Sequence, residues 1–287
     1  MDYRKIFVVD PGEKIRLATI DPSYTGEQKS HKKAEPEIRR NVERMDELQY
    51  LLYADGHQSL LVVLQGLDAA GKDGTIRHVF SGMNPQGVSV ACFKEPSKSE
   101  LAHDFLWRVH MRTPARGEVV IFNRSHYEDV LVVRVHKQVP RSVWSKRYDQ
   151  INDFEGLLAQ NGTRILKFYL HISPEEQLER FKARLEDKSR QWKISESDYL
   201  ARERWPQYIE AYEDVFALTS TKHAPWYVIP ANHKWFRNLA ISHIITRTMD
   251  EMELKLPPTR VDIDAIRRKY HAAEVEERKG HGHKATA

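Results

Sequence analysis

The chain has 287 residues and a formal net charge of +4, and hydrophobic residues make up 40% of it. This length and composition are typical of a globular protein with one large domain and appendages, and they exclude an intrinsically disordered chain. No apolar run approaches membrane length, no signal-peptide pattern is present, and the single cysteine, Cys92, excludes an internal disulfide. We therefore expect a cytoplasmic protein with no membrane partner, whose mildly basic charge suits an anionic ligand and does not by itself indicate nucleic acid.

The sequence divides into an arm, a main domain and a tail. Residues 1–30 lack sustained periodicity and predict an extended arm with a short strand at 6–9. In residues 35–53, apolar side chains recur every three or four positions, which predicts a helix that packs beside the central strand. We assign residues 31–255 to the main domain and residues 256–287 to a polar tail with one charged helical segment.

The main domain is organised around a phosphate-binding motif. An apolar run at residues 60–64 predicts a buried parallel strand, and it ends in Gly66-x-x-x-x-Gly71-Lys72, the spacing of a P-loop. Backbone N–H groups of such a loop and the N-terminus of the helix after it turn toward one anion, and Lys72 adds a compact positive charge. The predicted phosphate-binding residues of this stretch are Gly66, Ala69, Ala70, Gly71, Lys72, Asp73, Gly74 and Thr75.

Two carboxylates in the P-loop indicate a metal ion. Asp73 stands where a P-loop usually has the Ser or Thr whose hydroxyl binds Mg²⁺, and Asp68 lies inside the loop. Carboxylates beside a polyphosphate repel it unless a divalent cation lies between them. The sequence therefore predicts Mg²⁺ bound by acids rather than by a hydroxyl.

Four more apolar strands, alternating with helices, are predicted at residues 88–93, 119–122, 164–172 and 226–229. This pattern predicts an α/β fold with a five-stranded, mostly parallel sheet covered by helices on both faces. We expect Cys92, within the first of these runs, to be a buried core residue. Ligands of such sheets bind at the carboxyl ends of the strands, where polar clusters follow at 66–75, 94–98 and 123–129.

The cluster at residues 123–129 reads Asn-Arg-Ser-His-Tyr-Glu-Asp. Comparable strand ends carry a Mg²⁺-binding acid, but here that residue is the neutral Asn123, and the acids come later as Glu128 and Asp129. Arg124 is suited to neutralise charge on a transferring phosphoryl group. Near the second strand, Lys94 and Arg108 could bind the phosphate of the acceptor, or belong to a structural turn.

A basic segment at residues 180–204 carries eight Arg or Lys residues against five acids. Its position after the fourth strand predicts a helical lid whose arginines, Arg180 and Arg184 among them, close over phosphates and exclude water. A solvated helix face is the alternative interpretation.

Three motifs resemble those of the family-2 polyphosphate kinases: residues 66–75, 122–129 and 224–232, within a similarity that covers about residues 30–255. The resemblance implies a P-loop kinase with a thymidylate-kinase-like sheet, which moves a terminal phosphoryl group between inorganic polyphosphate and a nucleotide with Mg²⁺. By match of motif it implies that Asp68 is the essential loop carboxylate, Lys72 the phosphate-binding lysine and Arg124 the charge-stabilising arginine.

The motif at residues 123–129 departs from the pattern of many family members and points to one subgroup of the family. Many members that act on nucleoside diphosphates carry Asp-Arg-Ser-Trp-Tyr-Asn-Arg at the positions of residues 123–129, and the version here is similar to members that accept AMP as well as ADP. We therefore expect reversible formation of ADP and ATP from polyphosphate with AMP and ADP. The expected assembly is a homo-oligomer, a dimer or tetramer. An ATP-dependent nucleoside monophosphate kinase is the alternative, and a nucleic-acid binder using residues 180–204 is a more distant one.

The predicted roles of the residues follow from these motifs. We expect Asp68, Lys72, Arg124 and Asp129 to be catalytic, with Asp68 and Asp129 binding Mg²⁺ and the choice between Asp129 and Glu128 left open. The predicted nucleotide-binding residues are Lys94, Arg108, Asn123 and Glu128.

Overall fold

A computed structural model describes residues 1–28 and 30–282, except the side chains of Ser197 and of residues 279–282. The last five residues of the predicted tail, 283–287, lie outside the described residues. The strands are β1 Val8–Val9, β2 Ser59–Gln65, β3 Val88–Cys92, β4 Val119–Asn123, β5 Thr163–His171 and β6 Trp226–Pro230.

These strands form one sheet in the order β1-β6-β5-β2-β4-β3. All neighbouring pairs are parallel except β1 with β6, so the prediction of a mostly parallel sheet is confirmed. The described sheet has six strands rather than five, because Val8 and Val9 of the predicted arm pair with Tyr227 and Trp226 at its edge. The strand at the centre of the site, β2, has parallel neighbours on both sides.

Helices cover both faces of this sheet. The helices within the described residues are α1 Tyr3–Phe7, α2 His31–Asp55, α3 Lys72–Val79, α4 Lys98–Leu101, α5 Trp107–His110, α6 Glu128–Val135, α7 Arg141–Trp144, α8 Arg147–Gln160, α9 Pro174–Glu186, α10 Glu196–Glu203, α11 Trp205–Thr219, α12 Lys234–Asp250 and α13 Ile263–Gly282. Short 3-10 helices lie at Leu17–Thr19, Pro85–Gly87 and Gln191–Lys193.

Every residue of β2 is buried, because successive side chains enter two different cores. Leu60, Val62 and Leu64 pack in the core that holds the buried residues of α2 and α12. Leu61 and Val63 pack in the core that holds those of α6, α8 and α11. The layered arrangement predicted from the apolar runs is therefore confirmed, and it fixes the end of β2 where the P-loop begins.

Local sequence signals explain where several helices begin and end. The hydroxyl of Ser173 accepts a hydrogen bond from the backbone N–H of Glu176, and Pro174 occupies the first position of α9. Gly56 ends α2 in the left-handed conformation that glycine adopts without strain. Two short helices, α4 and α5, follow β3 in place of one long helix, because the Asp104 carboxylate accepts a hydrogen bond from the N–H of Leu106 and forms a turn between them.

The prediction that Cys92 is a buried core residue is wrong. Cys92 is exposed, since β3 is the edge strand of the sheet and its side chains are partly or fully exposed. An apolar run has the same appearance in an edge strand as in a central one, so the sequence pattern did not separate the two.

The chain divides into two units, Met1–Lys255 and Leu256–Ala287. The second unit contains α13, whose side chains are mostly exposed where they are described. None of the described helices combines the length and the apolar character that a bilayer crossing requires.

Candidate active site

Two of the predicted polar clusters meet at the carboxyl ends of β2 and β4. Because these strands are parallel neighbours, the loop after β2 and the loop after β4 lie side by side. Asn123 Nδ2 donates a hydrogen bond to Asp73 Oδ1 at 2.9 Å, and Arg124 Nη2 donates one to Asp68 Oδ1 at 2.8 Å. The residues at 66–75 and 123–129 therefore form one site.

The shape of the P-loop depends on its glycines. Gly66 has φ +148° and Gly71 has φ +108°, which side chains rarely permit. A Cβ on Gly66 would lie 3.0 Å from the carbonyl oxygen of Leu170, and one on Gly71 would collide with the guanidinium of Arg237. Ala69 also adopts a left-handed conformation, with φ +62°, a conformation that costs a residue with a side chain about 1 kcal/mol.

The Lys72 ammonium spans its own loop. Its Nζ donates to the carbonyl oxygen of Gly66 at 2.6 Å, and the side chain is buried. Burial, together with the positive charge of Arg124, lowers the pKa of Lys72 to about 8, against the opposing charges of Asp68 and Glu128. An anion bound in the loop would favour the charged lysine, as expected for a phosphate site.

Arg124 connects the acids of the two loops. Its Nη2 binds Asp68, and its Nη1 lies 3.6 Å from Glu128 Oε2. The negative charge of Glu128 raises the pKa of Arg124 above its ordinary value, with a further contribution from Asp68, and burial opposes this. Arg124 has φ +61°, and its backbone N–H donates to the carbonyl oxygen of Leu64, so the loop aims the guanidinium at the mouth of the P-loop.

The two acids at the start of α6 have different surroundings. Glu128 Oε1 accepts a hydrogen bond from Gln65 Nε2 at 3.1 Å and faces Arg124, on the side of Asp68. Asp129 lies between two arginines. Arg147 Nη1 donates a hydrogen bond to Asp129 Oδ1 at 3.2 Å, and Arg108 Nη2 lies 3.8 Å from Asp129 Oδ2. Burial raises the pKa of Asp129 although both arginines act against it. The two acids that the sequence left as alternatives thus have different partners.

The carboxylates of the site are the kind of ligand that Mg²⁺ takes in proteins. Within residues 1–28 and 30–282, no group of three His, Cys, Asp or Glu side chains could hold a metal ion on its own. Mg²⁺ usually takes one or two carboxylates, and phosphates and water complete its octahedron. Asp68 and Glu128, which share the guanidinium of Arg124, supply such a pair.

A buried polar network supports the loop that carries Arg124. Lys167 Nζ on β5 donates to Glu155 Oε2 at 2.6 Å and to the Tyr127 hydroxyl at 2.8 Å. Glu155 Oε1 also lies 3.1 Å from His126 Nε2, and all four side chains are buried. Glu155 and Lys167 were not among the predicted residues, although a lysine inside an apolar strand is a signal in the sequence, since it needs a partner.

We expect Glu155→Gln to destabilise the protein by about 3–5 kcal/mol, because it leaves the Lys167 ammonium buried beside a neutral amide. Urea denaturation measures this loss. As a matched control, Glu43→Gln removes one member of an exposed ion pair with Arg39, 4.0 Å apart, and is expected to cost less than about 1 kcal/mol. Equal losses in the two variants would contradict the assignment of a supporting role to the buried pair.

Arg180 holds the P-loop from outside. Its guanidinium offers five N–H donors, and the partners that accept from it are the Ala69, Ala70, Ala231 and Asn232 carbonyl oxygens and Glu176 Oε1. The neighbouring Gln177 Nε2 donates to the Asp68 carbonyl oxygen at 2.8 Å. In this arrangement Arg180 shapes the P-loop. A phosphate could bind Arg180 only by replacing one of these five hydrogen bonds.

The rest of the predicted lid, residues 187–204, lies against the same loop. Lys193 Nζ donates to Asp73 Oδ2 at 3.2 Å. Arg184 Nη1 donates to the Lys193 carbonyl oxygen at 3.2 Å and lies 3.7 Å from Asp198 Oδ2. Burial raises the pKa of Asp198, and the negative charge of Asp68 raises it further, which places this residue of α10 within electrostatic range of the site.

Two predicted nucleotide-binding residues take part in a turn beside the site. Arg108 Nη1 donates to the carbonyl oxygen of Lys94 at 2.9 Å, and its guanidinium lies over the ring of Phe93. Arg108 is buried, and the Lys94 side chain is exposed. Of the two interpretations left open by the sequence, these contacts favour the structural turn for Arg108.

Thr75, on α3, donates a hydrogen bond from its hydroxyl to the Gly71 carbonyl oxygen and stabilises the first helical turn.

Comparison with known proteins identifies relatives of this chain. The family model described as Polyphosphate kinase 2 (PPK2) matches residues 28–257. The chain is 50% identical over 254 residues to the AMP/ADP-polyphosphate phosphotransferase of Meiothermus ruber, a match that covers 88% of this chain and 95% of the relative. It is 44% identical over 271 residues to the ADP-polyphosphate phosphotransferase of Rhodopseudomonas palustris, with 89% and 92% covered. The crystal structure of polyphosphate kinase 2 from Arthrobacter aurescens TC1 has a TM-score of 0.90 at 38% identity, with 95% and 97% covered.

Proposed function

The chain belongs to the polyphosphate kinase 2 family, and on that premise we propose that it transfers phosphoryl groups reversibly between inorganic polyphosphate and AMP or ADP. The products in the forward direction are ADP and ATP. The observation that carries the proposal is the contact of Arg124 with Asp68, which joins a charge-stabilising arginine to the mouth of a P-loop. An ATP-dependent nucleoside monophosphate kinase would use the same loop, but the relatives are named for polyphosphate.

The proposed chemistry is an in-line displacement. An oxygen of the acceptor's terminal phosphate attacks the last phosphorus of the chain, and the bond from that phosphorus to its bridging oxygen breaks. The shortened polyphosphate leaves with the electron pair. Negative charge spreads over the oxygens of the migrating group, so catalysis depends on positioning and on positive charge. We assign the loop N–H groups and Lys72 to the donor's terminal phosphate, and Arg124 to the migrating group.

We propose that Asp68 and Glu128 hold Mg²⁺ together with the phosphates. The ion would neutralise charge on the reacting oxygens and orient them. Asp129 is the weaker candidate for the second ligand, because Arg108 and Arg147 already face it. Asn123, at the end of β4, is neutral and donates a hydrogen bond to Asp73. The acid that faces Arg124 from the same stretch is therefore Glu128, 3.6 Å from the guanidinium. We propose that this arrangement serves the shorter acceptor, AMP.

A comparison of donors tests the proposed function. With AMP as acceptor and Mg²⁺ present, we expect phosphorus NMR to show polyphosphate shortening together with ADP formation, and then ATP formation. ATP in place of polyphosphate separates the alternative, since an ATP-dependent kinase would form ADP from ATP and AMP at the higher rate. Faster turnover with ATP than with long-chain polyphosphate would contradict the proposal.

We further propose that the enzyme is a cytoplasmic homo-oligomer, a dimer or tetramer, without a nucleic-acid or membrane partner. Light scattering coupled to size exclusion measures the oligomer number directly.

A further inference from the structure

Helix α13, Ile263–Gly282, lies beyond residues 28–257, the part of the chain that the family model matches. It carries a row of exposed apolar side chains: Ile263 is 45% exposed, Ile266 49% and Tyr270 64%. At about 100° per residue, these three and the exposed Ala273 fall within a stripe about 80° wide on one face of the helix. Single exposed apolar residues are ordinary, but a contiguous row on one face indicates a surface that another element covers.

The spacing of this stripe is that of a two-stranded coiled coil. Ile263 and Tyr270 are one heptad apart, and so are Ile266 and Ala273. These residues therefore occupy the a and d positions of a heptad repeat, whose side chains pack between those of a helix with the same repeat. The apolar face of α13 thus fits a second helix of matching spacing.

The charges beside the stripe are complementary to those of an identical helix. Lys269 and Glu274 lie on opposite flanks of the stripe, at a g and an e position. Lys269 is exposed, and the residues three and four positions away from it are alanine or isoleucine, so its own helix offers it no acid at those spacings. Glu274 Oε1 accepts a hydrogen bond from Arg278 Nη2 at 2.9 Å, an exposed contact that is worth little and exchanges readily.

The sequence of α13 favours a parallel pair. In a parallel, in-register coil, the g residue of one helix lies beside the e residue of the next heptad of its neighbour. Lys269 of each copy then meets Glu274 of the other, and this ion pair forms twice by symmetry. The apolar layers also match, since each member of the stripe meets its own counterpart, whereas an antiparallel pair that overlaps along the whole helix would place Ile266 opposite Glu277.

We infer that α13 is an interaction surface for a second copy of this chain, whose own α13 lies beside it in the same direction as a two-stranded coiled coil. The inference rests on the proposed homo-oligomer and names one contact of it, and it does not depend on the proposed phosphoryl transfer. Two heptads are too short to hold two chains together alone, so the coil adds to another contact that keeps the copies close. The self-complementary charges favour an identical partner over an unrelated helix.

Disulfide cross-linking of the full chain tests the pairing. In a Cys92→Ser background, Ala273→Cys places a thiol at a d position, where the two helices of a parallel coil bring their side chains within disulfide range. The matched control is Ala272→Cys, at the neighbouring exposed alanine, which faces away from the stripe. With oxidised glutathione as the oxidant, we expect Ala273→Cys to form cross-linked dimer at least about tenfold faster than Ala272→Cys on non-reducing gels.

An exchange of charges tests the direction of the pair. Added to Ala273→Cys, Lys269→Glu places two acids beside each other in a parallel coil, and we expect cross-linking at low salt to slow at least about threefold. Addition of Glu274→Lys brings opposite charges together again and is expected to restore the rate. In an antiparallel pair, position 269 would face Glu276 and position 274 would face Arg267, so the same double exchange would leave cross-linking slow.

Equal cross-linking rates for Ala273→Cys and Ala272→Cys would overturn the inference, and a double exchange that leaves the rate low would overturn the parallel direction. Light scattering of the wild type separates this inference from the proposal on which it rests. A monomer would contradict both, whereas an oligomer that shows no preferential cross-link at position 273 would contradict the contact alone. All variants should transfer phosphoryl groups from polyphosphate at the wild-type rate, which also shows that they fold, because the site is built from residues of the unit Met1–Lys255.

Discussion

Lys72→Met is expected to lower the rate of ADP formation from polyphosphate and AMP at least about a hundredfold, because it removes the cation that holds the donor's terminal phosphate. Methionine keeps most of the volume of lysine in a buried position. Burial already disfavours the charged lysine in the free protein, so the variant should fold at least as stably as the wild type. The measurement pairs initial rates at saturating Mg²⁺ with a thermal unfolding curve.

The control for Lys72→Met is Lys222→Met, which removes an exposed lysine far along the chain from the P-loop. We expect the control to retain the wild-type rate. Substantial turnover in a folded Lys72→Met variant would show that the loop does not hold the reacting phosphate, and the site assignment would then be wrong.

Asp68→Asn is expected to lower the rate about a thousandfold, because a metal ion supplies several kcal/mol of charge stabilisation in the transition state, and each 1.36 kcal/mol is about tenfold. The fold should persist, since Asp68 is partly exposed and its main side-chain partner is Arg124. Wild-type activity should disappear in excess EDTA and return with Mg²⁺. The quantity to follow is the Mg²⁺ concentration that gives half-maximal rate.

The same titration separates the two candidates for the second ligand. Glu128→Gln should raise the Mg²⁺ requirement, whereas Asp129→Asn should leave it near the wild-type value, because Asp129 faces Arg108 and Arg147. The reverse result would assign the metal to Asp129, and full activity of the wild type in EDTA would remove the metal from the site.

The P-loop and the sheet were predictable because their signals are local. An apolar run followed by glycines and a lysine at fixed spacing requires a buried strand, a tight loop and a helix in sequence, and the structure has β2, the loop and α3 there. The meeting of the loops after β2 and β4 followed from the rule that parallel strands end at one edge.

Other features depend on partners that are remote in the chain, so the sequence pattern did not contain them. The sequence predicted a short strand at residues 6–9 but not its partner: Tyr3–Phe7 form a helix, and Val8–Val9 pair antiparallel with β6 at the edge of the sheet. The pairing of Lys167 with Glu155 needs β5 and α8 to be packed together before either charge has a partner. The bonds of Arg180 to the carbonyl oxygens of the P-loop likewise appear only once α9 lies over that loop.

The contact between Lys193 and Asp73 has a consequence for the catalytic cycle. Asp73 is 66% exposed and Lys193 is 36% exposed, so their ion pair contributes at most about 1 kcal/mol. Thermal motion readily breaks an ion pair of about 1 kcal/mol. Arg180, by contrast, keeps α9 fixed on the P-loop through its bonds to the Ala69 and Ala70 carbonyl oxygens. The ammonium of Lys193 can therefore leave Asp73 while the segment beyond Glu186 stays joined to α9 through the bonds of Arg202 to Pro174 and Gln177, and departure of the shortened donor need not wait for the domain to rearrange. Higher ionic strength would loosen the pair further and speed this departure.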